Sequence, residues 1–358
     1  LKSYKIAVIE GDGIGHEVVP EGLRVLEASG RSYDINFSWQ HFDWGCQTYL
    51  KTGRMMPEDG LDQLRGFDAI YLGAVGYPGV PDHISLWGLL IPIRRAFQQY
   101  VNLRPVRLLR GVDSPVKGFP PGTIDFCIVR ENNEGEYSEV GGRLYRHEDA
   151  ELAIQEAIFT RRGCDRIMTY AFDLARTRER HVTSATKSNG IIHSMPFWDE
   201  RFSAVAKNFP DVRTDQYHID ILTAHFVRHP EWFDVVVASN LFGDILSDLG
   251  AAVVGSIGLA PAANLNPERQ FPSMFEPVHG SAPDIAGKGI ANPIAQIWTG
   301  AMMLDHLGES KAARAVEKAF ETVLAESDIR TPDLGGKATT REVGDAIADE
   351  ISVVSESQ

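Results

Sequence analysis

The sequence is poor in the residues that staple small or secreted folds. Cys46, Cys127 and Cys164 are the only cysteines in 358 residues. Their odd number and the absence of CxxC spacing rule out a zinc cluster or a disulfide framework, and a reducing compartment is expected. Basic residues are outnumbered, with 35 Lys and Arg against 49 Asp and Glu and a formal charge of −14. No basic block exceeds the pairs Arg94-Arg95 and Arg161-Arg162, which argues against nucleic acid or an anionic membrane as partner. Long apolar runs are missing as well. The longest charge-free stretch, 249–267, is broken by Gly250, Gly255, Gly258, Pro261 and Asn264 and is unsuited to a membrane span. Leu1-Lys2-Ser3 runs straight into an apolar strand-like segment, with neither a signal-peptide h-region nor a transit segment, so a cytoplasmic location is expected.

What is present reads as a folded α/β protein. A hydrophobic share of 43% excludes disorder, and the length suits about two domains at roughly 150 residues each. Apolar runs at 6–9, 67–72, 126–129, 182–186, 234–238 and 274–275 have strand length, and several are continuous Val/Ile runs, as in a sheet buried on both faces. Helical patterns lie between them. The clearest covers 294–307, with Asn292 as N-cap, Pro293 at the first helical position and Gly308 just past the end. Alternating strands and helices imply a largely parallel sheet.

A glycine cluster, Glu10-Gly11-Asp12-Gly13-Ile14-Gly15, follows the first run. It closes one residue early, as GxGxG instead of the GxGxxG that lets a Rossmann helix pack against its strand. The reading is a tight strand-to-helix turn with substrate or nicotinamide nearby, not a Rossmann site.

Ionisable residues gather where strand runs end. Arg130 closes 126–129, Lys187 follows 183–186, Asp220 follows a further run at 214–219, and Asp244 comes shortly after 235–238. Ligands of open parallel sheets bind outside the carboxyl ends of strands, so these four mark a candidate site. Each also has a plain structural reading: Arg130 pairing with Glu131 or Glu134, Lys187 solvated, Asp220 capping the helix it opens. Asp244 and Asp248 lie four apart, on one face of a helix. A divalent cation between them would offset their repulsion, and all-oxygen donors select Mg2+ or Mn2+ over zinc. Arg94, Arg95, Arg104, Arg107 and Arg110 form a positive island whose guanidinium forks suit carboxylates; Arg95, Arg107 and Arg110 read as surface partners of the excess acid. Segment 276–293, rich in Gly, Ala and Ser, exposes backbone N–H groups and is a candidate nucleotide loop.

Together, Gly11-Asp12-Gly13-Ile14-Gly15, Arg94 with Arg104, Arg130-Glu131-Asn132 leading to Gly135-Glu136-Tyr137, 240–248 and 276–293 resemble the β-decarboxylating hydroxyacid dehydrogenases, which include isopropylmalate and isocitrate dehydrogenases. The likeness runs over nearly the whole chain. Segments 82–88, 184–190 and 218–222 are similar to the tartrate and D-malate branch. The resemblance implies an isopropylmalate dehydrogenase-like two-domain α/β fold, not a Rossmann fold. Residues 1–101 plus 257–358 would form a larger domain with the NAD loop, and 102–256 a smaller domain with the metal ligands and the interface of a homodimer whose active sites are shared.

By the same resemblance Arg94, Arg104 and Arg130 would hold a small dicarboxylate, and Asp244 and Asp248 would bind Mn2+ or Mg2+ with Asp220 of the partner subunit. Lys187 of the partner subunit would take the 2-hydroxyl proton and Tyr137 would protonate the enol. Glu276, His279, Gly280, Ser281, Ala282, Ile285 and Asn292 would bind NAD, with Asp284 on the adenosine ribose. NADP-using relatives carry Lys and Tyr at the Asp284 and Ile285 positions, so NAD is expected, with K+ as a candidate additional ion. The implied activity is oxidation of a four-carbon 2-hydroxy diacid, tartrate or D-malate, the latter decarboxylated to pyruvate and CO2. Isopropylmalate or isocitrate oxidation is the alternative within the chemistry, and a non-catalytic regulatory subunit the alternative outside it. Trp87 would fill the space of a larger γ-substituent, while Leu89 and Pro92, where the branch has Ser and Lys, leave the neighbourhood apolar.

Overall fold

A computed structural model of the protein describes residues 2–356. The chain divides into two compact units. The first contains the residues up to Gln99, Arg107–Ile124 and those from Ala251 onward; the second contains Tyr100–Val106 and Asp125–Gly250. The first therefore takes 107–124 and 251–256, which the sequence reading assigned to the smaller domain. Side chains explain the difference. Arg107 pairs with Glu317 at 3.2 Å and with Glu321, and its guanidinium lies 4.9 Å over the Trp298 ring. Ser114 donates to the Val253 carbonyl at 2.7 Å.

In the first unit the strands run in the order Ile35–His41, Lys2–Gly11, Ala69–Ala74, Ser273–Pro277, Pro261–Leu265, parallel except for the last pair. Every residue of Ala69–Ala74 is buried, as expected for an inner strand covered on both faces. Helix Gly15–Tyr33 buries Val18, Val19, Val25 and Leu26. Helix Ile294–His306 ends as its sequence signals: the Asn292 side chain accepts from the Ile294 N–H at 3.0 Å, Gly308 takes a left-handed φ of 91°, and the Glu309 N–H returns to the Leu304 carbonyl.

One local feature was not foreseen. Between the helical turns Asp82–Ser85 and Ile91–Ala96 the chain makes a π turn, Leu86–Leu90, in which the Ile91 N–H reaches back to the Leu86 carbonyl. Pro92 has no N–H to continue an ordinary α-helical ladder, and wide turns arise where that ladder is interrupted. Leu89 on this turn is fully buried in the apolar core with Met55, Ile93 and Phe97. It is a packing residue, so its apolarity does not describe a substrate pocket.

In the second unit Asp125–Glu131, Val235–Ala238, His181–Thr186 and Arg213–His218 are consecutive parallel neighbours, with Val101–Arg107 beside Asp125–Glu131. Val235–Ala238 and His181–Thr186 are buried throughout, whereas Arg213–His218 is polar and open to solvent, the usual condition of an edge strand. A separate antiparallel pair, Gly141–Leu144 with Leu152–Gln155, is exposed along its whole length. Both units are thus α/β with mostly parallel strands. Among the described residues no helix is long and apolar enough to cross a membrane.

Candidate active site

Parallel register brings the carboxyl ends of the second unit's strands into a row. Arg130 stands opposite Ala238, at the end of the strand that leads into helix Asn240–Val253, and Thr186 stands opposite His218. Residues just beyond those ends must meet. Arg130 Nη1 donates to Asp244 Oδ1 at 2.6 Å, and Arg104 Nη1 approaches the same oxygen at 3.3 Å. The other oxygen, Oδ2, accepts from Tyr137 Oη at 2.9 Å. One carboxylate therefore gathers two guanidiniums and a phenol. Glu131 accepts from the backbone N–H groups of Asn133 and Glu134, and Glu134 from Thr160.

The two arginines are buried and aimed by neutral side chains. Asn240 Oδ1 accepts from Arg130 Nε and Nη2 at 3.2 and 2.7 Å. Asn102 Oδ1 and Ser247 Oγ hold Arg104 at 2.5 Å each. Sequence reasoning missed Asn102, Asn240 and Ser247. The spacing of Ser247 from Asp244 was a signal, since one helical turn places both on one face.

Tyr137 lies with its ring 5.4 Å from the Arg130 guanidinium. Loss of solvation and the Asp244 charge push its pKa upward, outweighing the pull of Arg130 and Arg104, so the phenol stays protonated. Asp248, one turn further along the same helix, has its pKa raised by reduced hydration and by Asp244, while Arg104 and Arg130 pull the other way. At the ends of the neighbouring strands, Lys187 Nζ bonds Asp220 Oδ1 at 2.8 Å, and that bond holds the Asp220 carboxyl below its ordinary range. Asp220 lies in the first turn of helix Ile219–Arg228, and its side chain pairs with Lys187. Among the described residues no three His, Cys, Asp or Glu side chains are grouped to hold a metal ion.

The first unit carries the other expected residues. Arg94 Nη2 bonds Glu276 Oε1 at 2.6 Å, both side chains being buried, and Asn264 also donates to that oxygen. Arg95 lies 4.8 Å over the Trp87 ring, and Arg110 faces Glu326. A cleft of about 720 Å3 is lined by 75–82 and 280–283, within the range of ligand pockets. The glycine turn supports one wall. Gly13 has a φ of 56°, and a Cβ there would lie 2.1 Å from the Ser281 carbonyl oxygen; the Ile14 N–H donates to that same carbonyl at 2.9 Å. Buried Asp12, also missed, accepts from the Cys46 and Gly76 N–H groups at 2.9 and 3.0 Å and ties the turn to the cleft.

Within the loop, His279 is buried, which lowers its pKa and keeps it neutral. Its Nδ1 lies 3.0 Å from the Gly280 carbonyl, while Nε2 is buried without a hydrogen-bond partner. Two of the loop's N–H groups, on Gly287 and Gly289, are taken by the Glu17 carboxylate. Ile285 packs against the small cluster of Ile14, Val18 and Ala291, and Asp284 is exposed.

Comparison with known proteins agrees with this chemistry. The family described as isocitrate/isopropylmalate dehydrogenase matches residues 5–347. The chain is 60% identical to a D-malate dehydrogenase (decarboxylating) of Escherichia coli strain K12, over 97% of this chain and 98% of that protein. It is 58% identical to a tartrate dehydrogenase/decarboxylase of Pseudomonas putida, over 98% of each. The crystal structure of isocitrate dehydrogenase from Methylococcus capsulatus superposes with a TM-score of 0.88 at 36% identity, covering 97% of this chain and 99% of that one. A full-length match of this kind, on a chain that retains two aimed arginines, a protonated tyrosine and the paired aspartates, places the protein in the isocitrate/isopropylmalate dehydrogenase family, as an oxidoreductase of the tartrate and D-malate dehydrogenase branch.

Proposed function

We propose that the protein oxidises a four-carbon 2-hydroxy diacid, D-malate or tartrate, with NAD and Mn2+ or Mg2+, and decarboxylates D-malate to pyruvate and CO2. The observation that carries this reading is the convergence of Arg104, Arg130 and Tyr137 on Asp244. Anion-gripping forks and a proton donor meet there at one hard-cation ligand. The substrates named for the 60% and 58% identical relatives support the four-carbon class.

Arg104 and Arg130 would take a substrate carboxylate bidentately, their side chains already oriented by Asn102, Ser247 and Asn240, with Arg94 as the third guanidinium. Asp244 and Asp248, with Asp220 of the partner subunit, would be the metal ligands; their all-oxygen chemistry fits a hard divalent cation. When bound, the cation would acidify the 2-hydroxyl and NAD would accept the hydride from C2. Lys187 of the partner subunit would take the hydroxyl proton. The C3–C4 bond then breaks, its electron pair entering the enolate as CO2 leaves, and Tyr137 delivers a proton to C3. Glu276, His279–Ala282, Asp284, Ile285 and Asn292 would hold NAD; the orphaned Nε2 of His279 offers an acceptor suited to an adenine amine.

A homodimer completes the proposal. Exposed Ile221 and Ile245 sit on the helices that carry Asp220 and Asp244, and the exposed ladder presents Leu144, Leu152 and Ile154; these apolar side chains support an interface that would cover them. Mixing inactive Lys187→Met and Tyr137→Phe subunits tests the sharing, because a hybrid dimer would regain one site with both groups. The activity itself is tested by NADH formation with D-malate, L- and meso-tartrate, isopropylmalate and isocitrate, with and without Mn2+ and K+, and with NADP in place of NAD. Absence of turnover with every four-carbon acid would remove the proposal.

A further inference from the structure

Tyr137 has no regular secondary structure to aim it. It follows a turn at Gly135, whose φ is 93° and whose backbone exchanges hydrogen bonds with Ile158, and it precedes the exposed ladder that starts at Gly141. A phenol on such a segment would wander relative to Asp244 unless something ties the two together. The neighbouring side chain does so. Glu136 Oε1 accepts from Ser239 Oγ at 2.7 Å, and Oε2 accepts from the Leu241 N–H at 3.0 Å. Ser239 immediately precedes helix Asn240–Val253 and Leu241 lies in its first turn, and this is the helix on which Asp244 and Asp248 stand.

Three features make this contact more than a surface cap. Both carboxylate oxygens are used, which fixes the Glu136 side chain in one orientation. The acceptor sits at a helix N-terminus, where unsatisfied N–H groups and the helix dipole favour a negative charge. The Asn240 side chain works in the same joint, donating to the Glu134 carbonyl at 3.1 Å while its oxygen receives Arg130. Segment 134–137 is therefore fastened to the helix that bears the candidate metal ligands, one turn before Asp244.

We infer that Glu136 is a positioning residue, whose carboxylate clamps the Tyr137 segment to the start of helix Asn240–Val253 and so holds the Tyr137 hydroxyl against Asp244. Its kinetic consequence rests on the proposed activity, whereas its structural consequence does not. Glu136→Ala should displace the phenol. A misplacement of about 1 Å costs on the order of 100-fold in a positioned reaction, so kcat for pyruvate formation from D-malate should fall by roughly 10- to 100-fold with little change in KM. Glu136→Gln keeps an oxygen for the Leu241 N–H and an amide that can donate to Ser239 Oγ, and should restore most of the rate.

A double-mutant cycle separates positioning from a general structural role. If Glu136 acts through Tyr137, adding Glu136→Ala to Tyr137→Phe should lower kcat little further, whereas full additivity would overturn the inference. Fluorine NMR of 3-fluorotyrosine-labelled protein supplies a readout independent of substrate. The Tyr137 resonance, assigned by its loss in Tyr137→Phe, should shift or broaden in Glu136→Ala and stay near the wild-type position in Glu136→Gln. An unchanged resonance in Glu136→Ala would refute the clamp even if the enzyme proved to act on another acid. A shifted resonance in a protein that turns over no four-carbon diacid would keep the clamp and remove only the assigned activity.

Discussion

Glu131 should make the protein less stable as pH rises through the range in which other carboxylates have already ionised. It lies at the end of strand Asp125–Glu131 and is 1% exposed. Oε1 accepts from the Asn133 and Glu134 N–H groups at 2.7 and 2.9 Å, and Oε2 has no hydrogen-bond partner. Burial lifts its pKa from 4.5 to about 7, against the opposing pull of Arg166 and of those two N–H groups. Because the folded-state pKa is the higher one, the native protein holds the proton more tightly than the unfolded chain. Below about 4.5 both states are protonated and the group is neutral in its effect; above about 7 the full cost of a buried charge is present. Two and a half pH units at about 1.4 kcal/mol each amount to about 3 kcal/mol. Glu131→Gln keeps the accepting oxygen and removes the charge. Its unpartnered amide costs about 1–3 kcal/mol, but equally at every pH. Urea denaturation read by circular dichroism at pH 5, 6, 7 and 8 should show wild type losing most of that 3 kcal/mol relative to the variant. A difference that is flat across this range, or that grows in favour of wild type, would refute the reasoning.

Three further outcomes are expected. Lys187→Met removes the proposed base and should lower kcat by about 10²- to 10⁴-fold with a modest effect on KM; full activity would sink the assignment. Asp284→Lys with Ile285→Tyr should move the kcat/KM ratio toward NADP by roughly tenfold, about 1.4 kcal/mol, at some loss of stability because Ile285 packs against Ile14 and Val18. An unchanged preference for NAD would mean that these two positions do not face the adenosine ribose. Gly13→Ala adds a Cβ 2.1 Å from the Ser281 carbonyl in a left-handed backbone, a conformation costing about 1–2 kcal/mol. The turn and loop must then separate, and NADH fluorescence titration should show binding weakened by roughly tenfold or more; wild-type affinity would show that the turn does not shape the cleft.

Much of the molecule is legible along the chain. Helix Ile294–His306 announces both its ends through Asn292, Pro293 and Gly308, and strand Val235–Ala238 announces itself as a continuous valine run. Strands Val101–Arg107 and Pro261–Leu265 do not. The first contains Pro105 and two arginines and the second opens on proline and alanine, compositions that local preference assigns elsewhere. Placing Arg130, Lys187, Asp220 and Asp244 at strand ends was also within reach, since it needs only the position of each apolar run.

Partner choice was not. Arg130 has Glu131 and Glu134 close by in sequence, yet it meets Asp244, 114 residues away, and Arg94 meets Glu276 across 182 residues. Propensity, capping and alternation act between near neighbours, so a chain read locally yields helices, strands and turns. Which carboxylate faces a guanidinium depends instead on strand order, register and the removal of water, all of which arise only when distant segments pack. Asn102, Asn240, Ser247 and Glu136 owe their roles to that packing, because a neutral amide, a hydroxyl or one more glutamate has no distinguishing chemistry until the fold brings a charge or a helix end to it.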